Sequence, residues 1–279
     1  MKKHRSKLAA HSFVLIAFAW VWAIITLYPL FVTFSSSLKD NTEIFGSMFK
    51  LPASANFQNY YDALFNANML RSIANSLLLA FSTTAMVILI ASMASYVLAR
   101  KQYFFVKPIY FFFLVGVMIP IHTTIIPISS IAARMGGYDS YWFLILVYTT
   151  FQLPQAIFLI TGYMQGVSKD LDEAALIDGC GMFQTLYKII LPVCKPILAT
   201  VSILTFVYSY SELVFSVILL STPGKYPVSR ALLYFTGDYS TRMGPVFASI
   251  ILAVVPLVAT YLIFHEQVQE GMLSGAVKG

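Results

Sequence analysis

The chain has 279 residues, of which 58% are hydrophobic and only 11% charged, with a mean hydropathy of +0.76. Soluble domains carry about a quarter charged residues, so this composition excludes a water-soluble globule and indicates an integral membrane protein. The formal charge of +6 is scattered between apolar runs and forms no basic stripe, so it argues for membrane topology and against a nucleic-acid partner.

A helix needs about 20 apolar residues to cross a hydrocarbon core of roughly 30 Å, and six stretches meet that length. Helices are expected at 13–34, 74–98, 109–131, 141–163, 197–219 and 245–265. Lys2, Lys3, Arg5 and Lys7 precede the first one, as in a signal peptide. Its apolar run is too long for that role and no small-x-small cleavage site follows, so an uncleaved span is expected. An outer segment follows at 35–70. Pro120 and Pro127 fall in the third span, Pro154 in the fourth, and Pro245 and Pro256 in the sixth. Kinked or broken helices are tolerated in membranes where protein or a water cavity satisfies the freed carbonyls, and prolines are also simply common in membrane helices.

Alternate loops carry eleven of the eighteen Lys and Arg residues: the N-terminal tail, 100–107, 164–195 and the C-terminal tail. The positive-inside rule therefore places these segments, and both termini, in the cytoplasm. Cys180 and Cys194 then lie in a reducing compartment, where no disulfide is expected, and with no histidine nearby no metal site is expected either.

The polar interruption 164–196 contains DEAALIDGCGMFQTLYKIILP. Ser168 can cap a helix whose first turns hold Asp170, Asp172 and Glu173, where the helix dipole favours negative charge. Gly179 and Gly181 supply a terminating conformation. Leu171, Ala174, Ala175 and Asp178 share one side by their spacing, which predicts a small, shallow face that another backbone could approach. An ordinary interfacial helix packed under the bundle is the competing reading.

The spacing Glu-Ala-Ala, three residues, Gly, nine residues, Ile, one residue, Leu-Pro is complete here as Glu173, Ala174, Ala175, Gly179, Ile189, Leu191 and Pro192. It resembles the signature of the permease subunits of binding-protein-dependent ABC importers. The stretches LYPLFVTFSSSLKDNTEIF, NFQNYYDAL, MIPIHTTIIP, SYSELVF and GMLSGAVKG extend the resemblance over the whole chain, to the maltose-type carbohydrate branch. Leu176 stands where a basic residue is frequent and Met182 where proline is, both outside the signature. The resemblance implies a type I importer permease fold: an all-α membrane protein of six transmembrane helices. Residues 1–12 and 266–279 are cytoplasmic tails, 71–265 is the transporter domain, and Asp172, Glu173, Ala174, Ala175, Asp178, Gly179, Ile189, Leu191 and Pro192 form a coupling loop docking on an ATPase.

It further implies a second permease subunit, two ATPase subunits, an extracellular solute-binding protein and a bacterial or archaeal cell membrane with its lipid. The C-terminal tail would reach the interface between the ATPases. This chain has no G-x-x-x-x-G-K-[ST] loop, since TPGKYP lacks both the spacing and the hydroxyl residue. It would bind no cofactor itself, with ATP and Mg held by the ATPase. A membrane enzyme is the competing class, but neither H-E-x-x-H nor G-x-S-x-G occurs. A secondary transporter should show internal repeats and embedded coupling charges.

Glu212 is the one charge inside a span, and an unpaired carboxylate there costs about 2.5 kcal/mol or more. With Tyr208, Tyr210 and His122 it is a candidate for the solute path, or it is a structural pair with a neighbouring helix, and His122 is otherwise a satisfied histidine of the bundle. The outer loop STPGKYPVSRALLYFTGDYSTRMG is a solvated connector or, by resemblance, a contact for the binding protein through Lys225, Tyr226, Arg230 and Asp238. Which solute is carried, a sugar or another, is not written in these residues.

Overall fold

In the computed structural model the described residues are 2–238 and 242–276, with side chains described for 15–233, 242–264 and 266. They form helices and connecting turns, with no strand among them. Long apolar sequence without water to compete for backbone groups favours helices, whose hydrogen bonds are all internal to the segment. The chain divides into two compact units, one comprising the chain up to Met69 with Leu232–Val254 and the other Leu70–Ala231 with the chain from Val255.

In the first unit α1 (Lys2–Ser37) leads into two short helices, α2 (Asn41–Gly46) and α3 (Gln58–Tyr61), and a wide turn at Asp62–Asn66. Lys39 is 1% exposed, and its Nζ donates to the carbonyls of Ser47 and Met48, at 3.3 and 2.9 Å. Those carbonyls lie just beyond the C-terminus of α2, where a cation complements the helix dipole. The Asn59 amide donates to the carbonyls of Ser37 and Lys39. Arg242 pairs with Asp62 at 2.6 Å. The 35–70 segment is therefore folded, with short helices held by buried side-chain bonds.

The second unit carries most of the span helices. α4 runs Met69–Arg100. The expected third span is broken: α5 (Val106–Met118) stops, a tight turn spans Ile121–Thr124, and α6 (Ile125–Met135) leaves at 96° to α5. Pro120 has no N–H and disfavours helical geometry in the residue before it. Ile119 and Pro120 are accordingly extended, with ψ of 121° and 116°. The thirteen residues of α5 rise only about 20 Å at 1.5 Å per residue, short of a membrane crossing. α6 ends at Gly136, whose φ of +64° is left-handed.

α7 (Tyr141–Gln165) passes through Pro154 without interruption. Pro154 lies against Gly116 of α5, where a β-carbon would come within 3.0 Å of its ring. Three short helices follow, α8 (Asp170–Ile177), α9 (Met182–Thr185) and α10 (Leu191–Val193), with a wide turn at Leu186–Ile190 between the last two. α11 (Lys195–Ser211) bends 83° from the Met182–Val193 segment. It ends early, so the expected 197–219 span is also corrected: Glu212 is extended, with ψ of 129°, and α12 (Val214–Leu219) resumes after it. α13 (Val228–Asp238) and α14 (Met243–Ala276) complete the chain. Among the described residues, four helices are long and apolar enough to cross a membrane unaided, and up to six crossings are available if each bent pair counts as one.

Candidate functional site

The signature stretch folds as a helix, a left-handed turn and a second helix. Ser168 Oγ accepts a 3.2 Å bond from the Asp170 N–H, serving the first turn of α8. The C-terminus closes on Gly179, with φ +76°: its N–H reaches the Leu176 carbonyl and the Cys180 N–H reaches that of Ala175. This paired closure needs the left-handed conformation that glycine adopts without strain. Gly181 does not terminate a helix as expected. It is extended and starts α9, with Gln184 Oε1 accepting from its N–H.

The small, shallow face is not what α8 presents. Ala175 is buried, Leu171 packs on the cluster formed by Ile160, Met164, Leu186 and Ile190, and Asp172 turns inward with them. Glu173, Ala174, Asp178 and Gly179 are exposed, beside Leu176 and Ile177 at 75% and 86% exposure. The backbone path explains the difference. The element meets the bundle along its Leu171, Asp172 and Ala175 edge, so Ala174, a quarter-turn or so round the helix from Ala175, is exposed while Ala175 is buried. Of the remaining signature residues, Ile189 and Leu191 pack against the same cluster while Pro192 is exposed. Pro192 sits near the start of α10, where its missing N–H leaves no bond unmade.

Glu212 occupies the break between α11 and α12 and is 9% exposed. Its Oε2 accepts 2.7 Å and 3.3 Å bonds from the Tyr148 hydroxyl and the Ser216 N–H, and its Oε1 accepts a 2.9 Å bond from the Phe215 N–H. The carboxylate thereby satisfies orphan donors at the start of α12, where negative charge is also favoured by the dipole. Its own carbonyl accepts from Ser229 Oγ at 2.7 Å. Tyr208 stands perpendicular to Tyr148, with ring centroids 6.1 Å apart, and is half-buried. Tyr210 is fully buried, stacked on Phe206. His122 lies apart from this group, exposed in the elbow between α5 and α6. Beside that elbow a cavity of about 690 Å³ is lined mainly by apolar side chains of α5, α6 and α7, including Phe112, Ile128 and Phe151, with Gln152 among its few polar groups.

The loop after α12 is held by a residue that sequence reading missed. Asp139, itself left-handed at φ +54°, accepts bonds from the N–H groups of Ser221 and Thr222, from the Thr222 hydroxyl and from Lys225 Nζ, all at 2.7–3.0 Å. The Lys225 bond, with the two backbone N–H donors behind it, holds the Asp139 carboxyl well below the ordinary carboxylate range. Asn75 donates to the carbonyls of Gly224 and Tyr226, and Tyr141 donates to that of Lys225. Arg230 donates to the Ser216 and Val217 carbonyls at 2.6 Å and to that of Leu220, and its guanidinium lies 4.0 Å from the Tyr226 ring centroid. Lys225, Tyr226 and Arg230 therefore sit in one braced loop. The side chain of Asp238, and the last residues of the C-terminal tail, lie outside the described residues. Nothing in the sequence marks Asp139 as the brace, since its partners lie more than eighty residues away.

Comparison with known proteins follows the same lines. The family described as binding-protein-dependent transport system inner membrane component matches residues 87–273. The multiple sugar-binding transport system permease protein MsmG of Streptococcus mutans is 31% identical over 264 residues, covering 92% of this chain and 94% of that protein. A bacterial ABC transporter involved in import of the acidic polysaccharide alginate superposes with a TM-score of 0.80 at 22% identity, covering 91% of this chain and 95% of its counterpart. A second structure, of a bacterial alginate ABC transporter in complex with an alginate pentasaccharide-bound periplasmic protein, gives a TM-score of 0.64 at 16% identity, with 93% and 94% covered. A match over two thirds of the length, including the signature loop, and a shared fold across more than nine tenths of it have one reading: this chain belongs to the binding-protein-dependent transport system inner membrane components, the multi-pass permeases of ABC importers.

Proposed function

We propose that this chain is one of two permease subunits of a carbohydrate importer, taking an oligosaccharide from an extracellular binding protein and passing it inward by alternating access. The observation that carries the reading is the coupling loop. A short helix stands exposed on one side and anchored to the spans on the other, closed by a glycine in the left-handed conformation. That arrangement suits a joint with a separate motor. The chain offers no phosphate-cradling loop of its own, so ATP and Mg belong to a pair of ATPase subunits. The positive-inside count puts the joint and both termini in the cytoplasm.

The carbohydrate assignment rests on the relatives, which include a sugar permease of nearly the same length and an alginate importer. Within the chain, Tyr208 and His122 keep accessible surface and are the stronger path candidates. Tyr210 and Glu212 are built into the bundle and serve the scaffold in this conformation. The braced loop at Lys225, Tyr226 and Arg230 is the candidate surface for the binding protein. The assignment is tested by purifying the intact complex, reconstituting it with its binding protein, and screening solutes for stimulation of ATP hydrolysis. Stimulation by oligosaccharides supports the proposal. Stimulation confined to amino acids or other non-sugar solutes would keep the importer and reject the substrate class.

A further inference from the structure

Two side chains from the end of α4 and one from α8, more than seventy residues later, meet on the inner side of α8. Tyr96 and Arg100 lie four residues apart in the last turns of α4 and so share a face. Asp172 Oδ1 accepts a 2.7 Å bond from the Tyr96 hydroxyl, and its Oδ2 lies 2.9 Å from Arg100 Nε, an ion pair without linear hydrogen-bond geometry. Arg100 Nη1 donates to the Val167 carbonyl at 2.9 Å and Nη2 to that of Ser168 at 3.4 Å, both just beyond the C-terminus of α7. One guanidinium thus ties together the ends of α4 and α7 and the start of α8.

Burial decides what this contact can bear. The Arg100 side chain is 5% exposed and that of Asp172 20%. A surface ion pair contributes about 0–1 kcal/mol and yields easily. Separating a pair with a buried member strands an uncompensated charge and is far more costly. Packing acts in the same direction, since Leu171 sits on the cluster of Ile160 and Met164 of α7 with Val87 and Ala91 of α4, and Ser95 Oγ donates to the Ile157 carbonyl. Without Asp172, α8 would keep only the packing of Leu171 and Ala175 and the chain link through 166–169. The exposed edge with Glu173, Ala174, Leu176 and Ile177 takes no part, so the anchoring and docking sides are separate.

We propose that Asp172, Tyr96 and Arg100 form a latch that makes α8 and the adjoining ends of α4 and α7 one moving body, so that displacement of the coupling helix passes directly to those spans. This rests on the coupling reading above, and it makes Tyr96 and Arg100 positioning residues, neither of which touches solute or ATPase.

The test uses the intact complex reconstituted with its ATPase and binding protein. Tyr96→Phe removes only the hydroxyl, Arg100→Lys keeps the charge but loses the reach to the Val167 and Ser168 carbonyls, and Arg100→Gln removes both. Each should retain wild-type ATPase recovery and basal hydrolysis while solute moved per ATP falls, least for Tyr96→Phe and most for Arg100→Gln, with Asp172→Asn lowering the same ratio. A wild-type ratio in Arg100→Gln and Asp172→Asn overturns the latch. So does a loss of yield and thermal stability with an unchanged ratio in Tyr96→Phe and Arg100→Lys, which is the behaviour of a merely structural contact. Failure of the coupling reading itself appears elsewhere: Leu176→Asp, on the exposed edge, would then leave the ATPase attached.

Discussion

Removing the Glu212 side chain separates a scaffold residue from one that handles solute. In the structure the carboxylate receives the Tyr148 hydroxyl and the N–H groups of Phe215 and Ser216. Glu212→Ala orphans three donors at a buried break in the helix. At about 1–3 kcal/mol for each unsatisfied buried group, with water entering to relieve part of the loss, a net destabilisation of about 3–5 kcal/mol is expected. Glu212→Gln keeps the shape and one acceptor. Its oxygen can take the Phe215 N–H, while its amide turns toward Tyr148, whose oxygen can accept. The Tyr148 hydroxyl hydrogen then loses its acceptor, and the 3.3 Å bond from Ser216 and the charge assistance disappear, a cost of about 1–3 kcal/mol. The assay is thermal unfolding of the purified complex by intrinsic fluorescence, beside solute-stimulated ATPase. The expected ranking of Tm is wild type, then Gln, then Ala well below, with Gln retaining transport. In a cycle with Tyr148→Phe, the paired loss should be less than additive because both variants break the same bond. An Ala variant with unchanged Tm and abolished transport, together with a cysteine at 212 that reacts with water-soluble reagents, would refute the scaffold argument.

Gly179 holds φ +76° and has open space where a β-carbon would be, so the first carbon of a side chain in Gly179→Leu is not blocked by this chain. It should leave membrane insertion and abundance intact but reduce ATPase recovery, by turn strain of about 1–2 kcal/mol and by blocking close approach of the partner. Gly179→Asn, which tolerates the left-handed conformation, separates the two contributions, and normal recovery and uptake in Gly179→Leu would remove the joint. For Asp139 the carboxyl is depressed in the folded state, so its contribution is fully present above the unfolded value near 4 and is lost as pH falls toward the lower folded value. Hydrogen exchange in residues 220–227 should therefore be slow at pH 7 and 5 and faster near pH 3 once intrinsic rates are corrected, and Asp139→Asn should show the fast behaviour at pH 7. At Gly137 a β-carbon would sit 2.5 Å from the Phe143 ring, which is buried, so Gly137→Ala should lower stability by about 1–3 kcal/mol, read as a drop in Tm, with the importer still assembled.

Where apolar helix must form is readable from local sequence, because it depends on the balance between backbone desolvation and side-chain transfer. The spans around 74–98 and 141–163 fall inside α4 and α7. The helix and turn at 168–179 were equally legible, since a serine, an acidic first turn and a left-handed glycine act within a few residues of one another. What proline does was not. Pro120 breaks its span by 96° while Pro154 and Pro256 are carried inside continuous helices, and Pro154 at least sits against a glycine that makes room for it. The side of α8 that turns inward was also decided in three dimensions, by the packing of Leu171 and the reach of Arg100, so the expected shallow face of small residues became an edge led by Leu176 and Ile177. Glu212 and Tyr148, Asp139 and Lys225, and Arg100 and Asp172 are each separated by more than sixty residues. A buried charge must find a partner, but the identity of that partner depends on which helix faces meet, and no local property of the chain specifies that.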